Sequence, residues 1–84
     1  MSTFSQKMLD LVWAKAKPIS GVNPNQLRID NNGRKIAKEA YGLDSPKGWN
    51  VHHTTPQAKG GSDNISNLIP LHWKSHNDLH NLNK

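Results

Sequence analysis

The chain contains no cysteine. That excludes disulfides and thiolate zinc sites as supports for a small domain, and leaves His, Asp, Glu and Asn as the strong metal ligands available. Hydrophobic residues are also scarce, at 33% of 84 residues. A single domain of this size buries only roughly 60–65% of its unfolded surface, so its own core is marginal. Acids are outnumbered, six against eleven Lys and Arg, for a formal net charge of +5 and a pI near 9.8. That balance favours a polyanionic partner, because cations that neutralise phosphates gain by counterion release. No apolar run is long enough to span a membrane, and the N-terminus lacks the charged, apolar and small-residue pattern of a secretion signal. The expected location is therefore the cytoplasm, with no membrane partner. No repeat, low-complexity tract or long linker appears, so 1–84 reads as one domain.

What is present follows an α+β pattern. "FSQKMLDLVWAKAK" places Phe4, Met8, Leu11 and Val12 at helical spacing, with Ser2 or Thr3 as N-cap and Pro18 closing the segment. "PISGVNPNQ" reads as a loop, and "LRIDNNG" as a short strand or turn. "RKIAKEAYG" puts Ile36, Ala37, Ala40 and Tyr41 on one side and ends at Gly42, which predicts a second helix. After the turn "DSPKG", "WNVHHTTP" is strand-like, with Trp49 and Val51 facing one way and Asn50 and His52 the other. "QAKGGSDNIS" is a loop whose two glycines serve a sharp turn, "NLIPL" is a second short strand, and "HWKSHNDLHNLNK" is a closing helix. Residues 1–47 are thus expected to form a helical N-terminal support, and 48–84 a strand–strand–helix unit.

All five histidines lie in that second unit. Residues four apart on a helix stack one turn above each other, so His76 and His80 present two imidazoles to one point. If the hairpin folds back on the helix, His52 or His53 supplies a third. Only one of that pair reaches the same ion, because adjacent strand residues point to opposite faces. Three imidazoles leave an open position for water or substrate, and the remaining neutral histidine is a candidate base at physiological pH. Metal, base and basic surface together point to phosphodiester hydrolysis. Imidazole ligation suits Zn, Ni or Co better than Mg, although Mn and Mg stay open for one divalent ion. Arg34, Lys35 and Lys59 are candidate phosphate contacts, beside the alternative that they only solvate the surface. His72, one turn before His76, is either a further ligand or a helix-start residue. Trp49 and Trp73 are candidate core, and either could stack on a base.

His52-His53, Gly60-Gly61, Asn67-Leu68 and His76 together resemble the His-Asn-His (HNH) nuclease motif, a ββα-metal fold of two antiparallel strands and a helix around one metal ion. The resemblance covers Trp49 to His80. The last-helix pair His76 and His80 is similar to that of the colicin and pyocin type of DNase. On that basis the resemblance implies His52, His76 and His80 as metal ligands and His53 as general base. Asn67 would be the motif's middle residue, bonding loop backbone to fix the hairpin that holds His53. It further implies DNA as substrate, with RNA still open, cleavage to a 5′-phosphate and a 3′-hydroxyl, and an acidic immunity protein as partner if the chain is a toxin domain. Many HNH proteins carry cysteine pairs for a second, structural zinc; His72 and Ser75 stand near those positions here, so no second zinc is expected. The N-terminal half shows no similarity to the toxin domains. The alternative reading is a non-catalytic nucleic-acid-binding module in which the metal is only a staple.

Overall fold

The computed structural model describes residues 4–82, of which 78–82 are described by backbone alone. Helix α1 spans Gln6–Trp13, and its N-cap is Ser5, whose Oγ accepts from the Met8 N–H at 3.2 Å. Ser2 and Thr3, the expected caps, lie outside the described residues. Strands β1 (Lys17–Pro18), β2 (Leu27–Ile29) and β3 (Lys35–Ala37) form an antiparallel sheet in the order β1-β2-β3. Strands β4 (Trp49–His53) and β5 (Leu68–His72) form a separate antiparallel hairpin, and α2 (Trp73–Leu82) closes the fold.

The second helix expected over 34–42 is not formed. Lys35–Ala37 is a strand, and Lys38–Ala40 is a single 3-10 turn. Pairing overrides the helical spacing: Ile36 sits opposite Arg28 and is fully buried. The Ala37 and Lys38 amides donate to the carbonyls of Lys47 and Gln26 (both 3.0 Å) rather than back along a helix. The N-terminal support is therefore one helix and a small sheet. The strand–strand–helix unit expected over 48–84 is present within the described residues.

Alternation along β4 and β5 sorts their side chains into two layers. Leu68 lies opposite His53, Pro70 opposite Val51 and His72 opposite Trp49; Ile69 lies opposite His52 and Leu71 opposite Asn50. Directly opposed residues share a face. The first face carries Trp49 and Leu68 into the core with Val12, Trp13 and Ala16 of the α1 segment and Ile36 of β3. Val12, Ile36 and Leu68 each contribute roughly 1.5–3 kcal/mol by leaving water. Trp13 satisfies its indole N–H on the Pro24 carbonyl (2.8 Å), and Lys15 Nζ donates to the carbonyls of Ile65 and Leu68, tying the end of α1 to the start of β5. The second face lies under α2, which packs on both strands.

A buried carboxylate joins the two halves. Asp30, 3% exposed, accepts at Oδ2 from the His72 N–H (3.0 Å) and Ser75 Oγ (2.7 Å), and at Oδ1 from the Asn32 and Arg34 amides (2.9 and 2.8 Å). Burial pushes its carboxyl upward, but the hydrogen bonds from Ser75, Arg34, His72 and Asn32 outweigh it and leave the group below its ordinary value. The β2–β3 turn is thereby bolted to the first turn of α2.

Candidate active site

His52 and His53 take opposite faces of β4. His52 turns toward α2, where its ring centroid is 5.3 Å from that of His76, the two rings meeting edge to face. Two imidazoles bound to one tetrahedral ion, with metal–nitrogen bonds of about 2.0–2.1 Å, hold their centroids about 5.2 Å apart. The centroid spacing of the observed pair is close to that value. Among the described residues no group of three or more His, Asp or Glu converges as a metal-holding set. His80, the third expected ligand, has its side chain outside the described residues.

His53 turns to the other face, toward Phe4, whose ring centroid is 6.2 Å away. Its Nε2 lies 2.7 Å from Asp63 Oδ1. A carboxylate accepts, so Nε2 carries the hydrogen and Nδ1 is left as the ring's acceptor. The same Asp63 oxygen also accepts from Gln57 Nε2 at 3.3 Å. Asp63 was not among the candidates drawn from sequence, where it stands in the loop after Gly60-Gly61. Although they face opposite ways, His53 and His76 both line one cleft of about 330 Å³ that also takes in Tyr41, Asn50 and Gln57. A substrate in that cleft meets the imidazole of His53, held from behind by Asp63, and that of His76; His52 does not line it.

The loop between the strands is locked by Asn67. Its Oδ1 accepts from the Thr55 N–H (2.8 Å) and from Thr54 Oγ1 (2.7 Å), and its Nδ2 donates to the carbonyls of Ser62 (2.8 Å) and Thr55 (3.1 Å). The Thr54 N–H adds a bond to the Asn67 carbonyl at 2.9 Å. Both halves of the amide are used, across the two strand ends and the intervening loop. The glycine pair has two separate causes. Gly60 adopts a left-handed φ of 88°, and a Cβ on Gly61 would collide with the Thr55 carbonyl that Asn67 holds. Asn67 thus positions the strand ends that carry His53, and touches no reacting group itself.

His72 has a structural occupation. Its Nδ1 accepts from the Lys74 N–H (3.0 Å), capping α2, and its Nε2 donates to the Pro46 carbonyl (2.8 Å). Both ring nitrogens are taken and the residue is 3% exposed. Ser75 is likewise occupied, between Asp30 and Arg34 NH1 (2.9 Å). Of the expected phosphate contacts, Arg34 and Lys35 line one cleft at the start of α2, whereas Lys59 is exposed at the end of the 3-10 turn Gln57–Lys59.

Residues 33–82, more than half of the chain, match the family model described as HNH endonuclease, and the chain belongs to that family. Over 35 residues, 42% of this chain, it is 43% identical to "Probable mobile endonuclease C" of Enterobacteria phage T4. The match covers 17% of that relative, so the chain spans only a small part of its length. No solved structure matches. No helix among the described residues is long and apolar enough to cross a membrane.

Proposed function

We propose that the chain is a metal-dependent endonuclease that hydrolyses DNA phosphodiesters in the cytoplasm, with His53 as general base and His52, His76 and His80 as the ligand set. The observation that carries this reading is the division of labour across β4: His52 meets His76, while His53 is held apart by Asp63 yet lines one cleft with His76. A metal that served only as a staple would need the ligands and would leave the carboxylate-held imidazole without work.

The chemistry of the protein groups follows from their hydrogens. Asp63 fixes the Nε2–H tautomer, so Nδ1 of His53 has the lone pair that takes a proton from water as the water oxygen attacks phosphorus. The phosphorus–O3′ bond breaks, and the products are a 5′-phosphate and, once the leaving oxygen is protonated, a 3′-hydroxyl. The imidazolium formed on His53 is stabilised by the adjacent carboxylate. His52, His76 and His80 would hold a divalent ion, which would supply neutralisation of the charge that develops on the phosphate. Asn67 keeps His53 in register by clamping Thr54 and Thr55, the two residues that follow it.

The phage relative favours a mobile-element nuclease over a toxin domain, so an acidic immunity protein has no place in this reading. Supercoiled plasmid incubated with the purified protein and Zn, Ni, Co, Mn or Mg should be converted to nicked or linear forms with at least one ion, and His53→Ala should slow conversion roughly 10²–10⁴-fold. An RNA substrate beside the plasmid decides between the nucleic acids. Intact plasmid under every ion would overturn the reading.

A further inference from the structure

Away from the histidines, cations from three separate segments share one concavity. A cleft of about 530 Å³ is lined by Arg34 and Lys35 at the start of β3, Lys47 before β4 and Lys74 in the first turn of α2, with Trp73 and Asp44 completing the wall. Among the described residues that line it, four of the chain's eleven Lys and Arg stand with one carboxylate, Asp44. A lone exposed lysine is only solvation. A group gathered by tertiary folding raises the local positive potential, and the neighbouring protein focuses it. Several parts of the wall are held in place. Arg34 NH1 donates to Ser75 Oγ at 2.9 Å, the Trp73 indole donates to the Ser45 carbonyl at 2.7 Å, and Lys74 Nζ lies 5.5 Å from the Trp73 ring centroid. Lys35, Lys47 and Lys74 are exposed. His72 borders the cleft, and His76 is four residues further along α2, a rise of about 6 Å.

We propose that this cleft seats backbone phosphates of duplex DNA beside the scissile one, and so orients the strand toward the His52–His76 pair. The proposal rests on the nuclease reading for its substrate, but the cleft's binding is measurable without cleavage. The test is the anisotropy of a labelled duplex titrated at several salt concentrations with no divalent ion. The variants are Lys47→Ala with Lys74→Ala, and a charge-matched control, Lys7→Ala with Lys17→Ala, whose residues do not line the cleft. If both cleft lysines contact phosphates, the slope of log affinity against log salt should become shallower by about 1.8, and affinity near 0.1 M salt should fall roughly 60-fold. The control should retain most of the slope, and turnover of bis(p-nitrophenyl) phosphate, a diester with no extended backbone, should be unaffected by the cleft variant.

Equal loss in the control, or a wild-type slope in the cleft variant, would overturn the proposal while leaving plasmid cleavage untouched. Displacement of the duplex by inorganic phosphate at matched ionic strength would mark a free-anion site and would also overturn it. A cleft-dependent slope in a protein that cleaves neither plasmid nor diester would support the cleft and sink the nuclease reading.

Discussion

His53 and Asp63 are ten residues apart in the chain and 2.7 Å apart in space, Nε2 to Oδ1, across the loop that Asn67 clamps. If Asp63 positions the base, Asp63→Ala should lower kcat, by less than the roughly 10²–10⁴-fold that removal of the base itself costs, with KM little changed. Asp63→Asn keeps a carbonyl oxygen that can accept from Nε2–H and should recover much of the loss. Equal kcat in wild type and Asp63→Ala would show that the contact is incidental.

The pairing also marks the limit of what the linear sequence discloses. The hairpin and closing helix are legible, because alternation in "WNVHH" and the four-residue spacing of His76 and His80 each carry a period. β3 is not, since Ile36, Ala37 and Ala40 fit helical spacing and a three-residue strand is too short to contradict them. Its identity comes from Arg28, Gln26 and Lys47, partners 8 to 12 residues away. Asp63 and the Asp30 bolt are invisible for the same reason: each is defined by contacts that exist only after the chain has folded. His72 illustrates the converse, since a histidine at ligand spacing is taken up by a helix cap and a carbonyl.

Asn67 makes four side-chain hydrogen bonds. Asn67→Ala should cost roughly 1–2 kcal/mol, since the site is only partly buried, or about 4–16 °C in melting temperature for a domain of this size. Asn67→Asp should be worse than its size suggests, because it sets a carboxylate oxygen against the Ser62 and Thr55 carbonyls. A melting curve unchanged in both variants would make the residue an ordinary loop amide.

Asp30 links stability to acid. Its folded-state carboxyl lies below the ordinary value of 3.8, because its hydrogen bonds outweigh its burial. Its contribution is therefore fully present above the unfolded-state pKa and is lost as pH falls through the lower folded-state value. Asp30→Asn should destabilise the protein at neutral pH by roughly 1.5–3 kcal/mol, the scale of charge-assisted bonds. The gap to wild type, read from urea melts by tryptophan fluorescence, should narrow below about pH 4. A gap that stays constant with pH would contradict the ionised bolt.

His72→Ala should lower stability by about 0.5–2 kcal/mol through loss of the α2 cap, while metal affinity changes only as far as the fold is loosened. His72→Asn, a good capping side chain, should restore part of the stability. Loss of an equivalent of bound metal in His72→Asn would instead make His72 a ligand.

The division of roles across β4 is tested most directly by calorimetric titration of Zn or Co into wild type, His52→Ala, His53→Ala and His76→Ala, with plasmid nicking run on the same preparations. His53→Ala should bind metal as wild type does and lose roughly 10²–10⁴-fold in cleavage rate; His52→Ala and His76→Ala should lose metal affinity and cleavage together. His53→Ala losing metal in parallel with activity, or cleaving like wild type, would contradict the assignment of base and ligands.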